Sequence, residues 1–318
     1  MYSVKGRGAV DNYRVSEALV EQYIAGFSSP PKSLVLDLDH SEDACYGQQP
    51  LAFYNHHYGS TCYLPLMIFD GQSGGLIAAI LRPGKRPFGA ENAMIMRRVL
   101  QRLRRRFPDT HILVRGDGHF SGPELMGLIE DMPNVDFIFG FSCNSKLVAI
   151  AEPCRLRAID AWVAAQSEDV VPNAVRLFDE FIYQARSWPK AWRVLLKAEV
   201  MALGENTRFI VTSLPGLDAG TLYEDIYCAR GQAENYIKHL KGDLAADRTS
   251  CTSFLANCMR LLLHSAAYVL HQQLRTEALR HTALSQAQPS TVISTLFKIA
   301  VQVRQRKNKI VLHLPSSS

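Results

Sequence analysis

The chain has 318 residues, 47% hydrophobic and 20% charged, which is enough for a substantial core and too apolar for wholesale disorder. Its net charge of +5 mildly favours an anionic partner without identifying one. Seven scattered cysteines with no CxxC pair argue against a disulfide scaffold and a cysteine-based zinc site. No apolar run reaches the roughly 18 to 20 residues of a membrane span, and the first residues lack a signal-peptide core, so a cytoplasmic protein without membrane contact is expected.

Residues 1–32 are polar, with a helical stretch from Val15 to Ala25 and a stop at Ser28-Ser29-Pro30-Pro31. The run SLVLDLD (33–39) reads as a buried strand. CYLPLMIF (62–69) and LIAAIL (76–81) follow as two strands of a hairpin around the turn residues 70–75. A helix over Ala90–Phe107 carries Ile95, Val99, Leu103 and Phe107 at spacing four. Next come a strand at 111–118, a short helix at 123–131 and a strand at 135–141. Three antiparallel-style strands, a crossover helix, a strand, a helix and a strand are the order of a ribonuclease-H-like α/β fold.

Residues 33–141 thus read as the first part of a catalytic core, and residues 142–207 as a mostly β insertion. Within it 176–185 and 192–203 lean to strand, while 146–166 could be a helix broken at Pro153. Residues 208–275 read as the second part of the core, opening with a strand at 208–214 and closing with helices at about 221–241 and 252–275. A basic tail occupies 276–318.

The chemistry concentrates between Tyr227 and Lys241. Tyr227, Arg230, Glu234 and Lys241 are spaced 3, 4 and 7 apart, which keeps them within roughly 60° on an α-helix. One carboxylate among two cations and a phenol is the pattern of a metal-binding acid beside groups that grip phosphate. Further acids come from the strands. Asp37 and Asp39 share one side of the first, and Asp117 ends the fourth between Gly116 and Gly118. Buried strands seldom carry unpaired carboxylates, because burying the charge is costly. In a ribonuclease-H-like sheet these strands are neighbours with a late helix across them, so three oxygen donors can converge on two magnesium ions, with manganese a substitute. A metal-dependent phosphoryl-transfer enzyme acting on nucleic acid is the leading expectation.

The complete pattern Tyr-x2-Arg-x3-Glu-x6-Lys at 227, 230, 234 and 241, with two upstream strand acids, resembles the DDE transposases of bacterial insertion sequences that carry a Tyr-Arg-Glu-Lys motif. The resemblance covers about residues 15–305, and the gap of 117 residues from Asp117 to Glu234 matches the β insertion of that group. It implies Asp39, Asp117 and Glu234 as the catalytic, metal-holding acids, since Asp39-His40-Ser41 fits the family's Asp-x-Ser/Thr element better than Asp37 does. It implies that Arg230 and Lys241 hold phosphates of the transposon end and that Tyr227 touches the backbone near the cut. Trp188 is the candidate for stacking a flipped base, ahead of Trp162 and Trp192. DNA is the implied partner, both terminal inverted repeats and target, and the implied assembly is a homodimer. Family members carry a longer helical end-binding region before the first strand than the 32 residues here. Two alternatives stay open: a shortened copy that binds DNA or a full-length partner without activity, and a stand-alone nuclease of the same fold.

Other features have plainer readings. Adjacent His56 and His57 point to opposite sides of any strand and read as loop histidines rather than a metal site. His119 is a candidate for touching substrate. Arg97, Arg98, Arg102, Arg104, Arg105 and Arg106 read as a solvated helix face, with contact to flanking DNA the alternative. Lys238 and His239 fall off the motif face, and Cys228 reads as core filler.

Overall fold

The computed structural model describes residues 7–166 and 172–313; residues 1–6, 167–171 and 314–318, parts of the N-terminal segment, the insertion and the tail, lie outside the described residues. The chain opens with α1 (Arg7–Ala25) and β1 (Ser33–His40), followed by β2 (Asp43–Ala44), β3 (Phe53–Asn55) and β4 (Ser60–Tyr63). Next come β5 (Leu66–Asp70), β6 (Leu76–Ile80), α2 (Gly89–Arg106), β7 (His111–Gly116), α3 (Pro123–Glu130) and β8 (Val135–Phe141). The expected strand over 62–69 is split at Pro65, which has no N–H to give to a ladder. Its first half, as β4, joins a small sheet ordered β2-β4-β3, and its second half, as β5, enters the main sheet.

The run 142–207, read as mostly β, holds a long helix as well as strands. It begins with α4 (Ser145–Ala165), capped by the Asn144 side chain, which accepts from Leu147 N at 3.1 Å. Pro153 does not break this helix, because Leu147, Ala151, Cys154 and Ala158 keep helical spacing and are buried. That packing outweighs the backbone bond lost at the proline. The strands β9 (Ala174–Tyr183), β10 (Trp192–Met201) and β11 (Gly204–Thr212) form an antiparallel meander. β11 pairs with β8, so the meander extends the main sheet.

That sheet has eight strands in the order β6-β5-β1-β7-β8-β11-β10-β9. β1 runs parallel to β7 and β7 parallel to β8, while β5 and β6 are antiparallel. This is a ribonuclease-H-like mixed sheet flanked by helices, and the alternation along β1 assigns its two faces. Leu34, Leu36 and Leu38 are fully buried against Met96, Leu100 and Leu103 of α2 and against α3. Burying each such side chain stabilises by about 1.5–3 kcal/mol. Val35, Asp37 and Asp39 point the other way, towards the face where Leu113, Ile138 and Ile210 pack with Leu222 and Tyr223.

A helical segment covers this second face. It starts as α5 (Ala219–Thr221), passes through a π-type stretch (Leu222–Tyr227) and a 3₁₀ turn (Cys228–Gly231), and becomes α6 (Gln232–Lys238). A second π-type stretch (His239–Asp243) ends it, and α7 (Phe254–Gln273) follows. Beyond α8 (Pro289–Val292), β12 (Gln302–Arg306) and β13 (Lys309–His313) form a largely exposed hairpin. No helix among the described residues is long and apolar enough to cross a membrane.

Candidate active site

The parallel register pairs Leu38 with Gly116, so the next residues, Asp39 and Asp117, stand side by side where β1 and β7 end. Asp39 is largely buried, its Oδ1 accepting from His40 N at 2.9 Å and its Oδ2 lying 3.5 Å from Arg230 Nη1. Burial raises its carboxyl to about 6; Arg230 opposes the rise, and the charges of Asp117 and Glu234 add to it. Burial also raises Asp117, but the hydrogen bonds from His119 and its charge outweigh that and bring it below its ordinary value. The ring bond is Nδ1 to Oδ2 at 3.0 Å, and His119 N donates to Oδ1 at 2.9 Å. Behind the pair, His40 is stacked on Phe120 and takes a 2.7 Å hydrogen bond from Arg82. Burial and the Arg82 charge lower His40 to about 3, so the ring is neutral.

Arg230 sits on the 3₁₀ turn and reaches both acids, with Nη2 at 3.8 Å from Glu234 Oε1. Glu234 in α6 is 69% exposed, pointing past the arginine rather than closing on the aspartates. Tyr227 lies beside the same cluster. Burial raises its phenol, with Asp117 adding and Arg230 opposing. Gly140 of β8 makes the room for it, because a Cβ there would lie 2.7 Å from the Tyr227 hydroxyl and 2.9 Å from Gly118 N. Lys241 turns to the segment after β1, donating to the Glu42 carbonyl and standing 3.8 Å from Asp43 Oδ1. Asp43 is buried with neither carboxylate oxygen hydrogen-bonded, and burial pushes it to about 7 against the pull of Lys241. The four motif residues therefore surround the end of β1, although π and 3₁₀ turns replace the regular helix on which their spacing was counted.

Asp37 has a different environment. It is fully buried and held by a two-pronged pair from Arg115, Nε to Oδ1 at 2.6 Å and Nη2 to Oδ2 at 2.8 Å. Arg115 also donates to the Ile226 carbonyl at 2.7 Å, tying β1, β7 and the covering helical segment together. Gly71 leaves room for the pair, since a Cβ there would come within 2.5 Å of both partners. A buried arginine in the run HILVRG is the sequence signal that could have revealed this bond.

Trp188 is not at the site. It is buried in an aromatic cluster with Phe141, Tyr183 and Trp192, ring centroids 4.8, 5.8 and 5.0 Å away, so its faces are taken by the core. Trp192 is buried in the same cluster, and Trp162 packs against the core. The arginines of α2 lie on the helix that packs against the leucine face of β1, away from the carboxylates. Arg102 pairs with Glu17 and Glu21, Arg104 caps the carbonyls of Phe107, Pro108 and Thr110, and Arg97, Arg105 and Arg106 are exposed. Lys238 is exposed, His239 pairs with Asp243, and Cys228 is exposed rather than core.

Among the described residues no three His, Cys, Asp or Glu side chains stand close enough to hold one ion. Asp39 and Asp117 nevertheless offer hard oxygen donors, and burial penalises the charge of Asp39, with Asp117 and Glu234 adding to the penalty, which a bound cation would offset. That donor set fits a hard divalent metal.

Comparison with known proteins settles the family. The family model described as Transposase DDE domain group 1 matches residues 4–318. The chain belongs to that family. No curated protein matches the chain. A cryo-EM structure of a piggyBac transposase synaptic complex with hairpin DNA aligns at a TM-score of 0.45 and 11% identity, over 77% of this chain. The chain spans 47%, about half, of the length of that transposase.

Proposed function

We propose that this transposase cuts DNA at the ends of an insertion sequence and joins the freed ends to target DNA, acting as a homodimer with two magnesium ions, for which manganese can substitute. Asp39, Asp117 and Glu234 are the residues that would hold the metal. When bound, a metal pair activates the attacking oxygen and stabilises the leaving one in an in-line displacement at phosphorus. The observation that carries this reading is the juxtaposition of Asp39 and Asp117 at the ends of neighbouring parallel strands, with Arg230 reaching both Asp39 and Glu234. Asp37 is a poor alternative to Asp39, because both its oxygens are consumed by Arg115.

The chain's own groups account for substrate handling. Arg230 lies between the acids and supplies a fixed guanidinium for a phosphate beside them. Lys241 provides a second cation, exchanging its Glu42 and Asp43 contacts for a phosphate. Tyr227 sets the edge of the site over Gly140 and can donate its hydroxyl to a DNA backbone oxygen. His119 holds Asp117 ionised and oriented.

The test is cleavage of DNA carrying the element's terminal repeat, in magnesium or manganese, by wild type, Glu234→Gln and Asp117→Asn. Metal-dependent nicking by wild type, lost by about 10³-fold or more in both variants, is the expected outcome, in line with removal of metal-centred stabilisation. Joined products distinguish a transposase from a nuclease. Nicking retained in either variant sinks the assignment of that residue.

A further inference from the structure

Behind the two strand-end acids, one buried guanidinium ties together the segments that carry them. Arg82 follows β6, and its Nε donates to Glu91 Oε1 in the first turn of α2 at 3.1 Å. Its Nη1 carries two protons and serves two neutral groups, His40 Nε2 at 2.7 Å and Asn92 Oδ1 at 3.0 Å. Arg82 and Asn92 are both buried, and the Arg82 carbonyl accepts from Leu64 N at 3.1 Å, so the backbone beneath the guanidinium is fixed as well.

Each neutral partner leads to one acid. The His40 ring is held by Arg82 and by stacking on Phe120 at 4.7 Å, and the same residue's N–H donates to Asp39 Oδ1. Asn92 Nδ2 donates to the His119 carbonyl at 3.3 Å, and His119 gives Asp117 both its N–H and its ring Nδ1. A guanidinium only donates, so Nε2 of His40 accepts and the neutral ring keeps its proton on Nδ1. Charge balance does not account for this arrangement. Glu91 supplies the counter-charge that a buried arginine requires, and the two neutral groups add none. What a rigid, planar fork gives them is a fixed position relative to one another.

We propose that Arg82 is a positioning residue for the metal site: through His40 on one arm and Asn92 and His119 on the other, it sets Asp39 and Asp117 in one geometry before a cation arrives. The inference rests on the reading of those two acids as metal ligands given above. Arg82 itself touches neither acid in this scheme, and its whole effect passes through the two arms. A site whose donors are already aligned binds its ion without first having to order them.

The test is manganese binding by the whole chain without DNA, followed by electron paramagnetic resonance of the free ion. Wild type is expected to bind and Asp117→Asn to lose binding. Arg82→Lys keeps a cation for Glu91 but not the planar fork, and Asn92→Leu keeps the volume but not the amide; each is expected to weaken binding about tenfold while circular dichroism shows an intact fold. Arg102→Ala, which removes an α2 arginine paired with Glu17 and Glu21 instead, should keep wild-type affinity. A second readout needs no metal: nitrogen NMR should find the His40 proton on Nδ1 in wild type and a mixture of tautomers in Arg82→Met. Manganese affinity unchanged in Arg82→Lys and Asn92→Leu overturns the positioning role and leaves the metal reading standing, as does an unmoved His40 tautomer in Arg82→Met. Failure of wild type to bind manganese overturns the metal reading itself, and this inference with it.

Discussion

Two aspartates on one strand, two residues apart on the same face, live in opposite electrostatic worlds. Asp37 lies within the strand, fully buried, and both its oxygens meet one guanidinium at 2.6 and 2.8 Å. Asp39 lies at the strand's end, its nearest cation is Arg230 at 3.5 Å, and burial pushes its pKa up, with Asp117 and Glu234 adding to the rise against the pull of Arg230. The first pair is complete and holds the covering helix to the sheet. The second has one cation at 3.5 Å and no two-pronged partner, so its oxygens remain available as donors. A few ångströms along a strand separate structure from chemistry, because the strand's end is where partners stop and solvent begins.

The sharpest way to break the comparison is to replace Asp37. Asp37→Asn leaves Arg115 charged and buried without its partner, and a loss of about 3–5 kcal/mol in urea unfolding is expected. A loss no larger than that of a surface substitution would remove Asp37 from its structural role. Asp39→Asn should do the reverse. A carboxyl whose folded pKa is about 6, against 3.8 ordinarily, destabilises the fold once it is ionised. The variant should therefore be more stable than wild type by about 2–3 kcal/mol at pH 8, with the gain vanishing below pH 4 where both are neutral. Urea midpoints measured across that range check the sign, and a stability loss at pH 8 would contradict it.

Smaller effects sharpen the contrast. Gly71→Ala pushes a methyl against both members of the Asp37–Arg115 pair and should cost about 1–3 kcal/mol, read as a lower melting temperature. Lys241→Met tests a third carboxylate, Asp43, whose folded pKa is about 7. Below that value Asp43 is neutral and the lysine matters little; above it the ionised carboxylate loses its nearby cation. The variant's stability deficit should thus grow by about 1 kcal/mol from pH 5.5 to pH 9, and a flat deficit would show that the two groups do not interact.

Local pattern and tertiary context divided the work unevenly. The leucine-aspartate alternation of SLVLDLD, the spacing-four apolar residues of α2 and the short apolar runs at 111–116 and 135–141 report backbone period directly. The order of those elements is enough for the sheet topology. Pro65 and Pro153 show the limit. The same missing N–H splits a strand in one place and is absorbed by a helix in the other, depending on what each segment packs against. Trp188 makes the same point for side chains, since composition cannot tell a stacking platform from a ring buried among core aromatics.

What the sequence by itself determined is the type and order of the first elements, the faces of β1, and the set of acids and cations available for a site. Periodicity and motif spacing are local properties, and they survive folding unchanged. Only the tertiary structure decided which aspartate is satisfied, because Arg115 lies 78 residues from Asp37 in the chain and meets it only through the parallel register. It alone joined Arg82 to His40 behind the acids, since segments so separated in the chain meet only when the sheet brings them together.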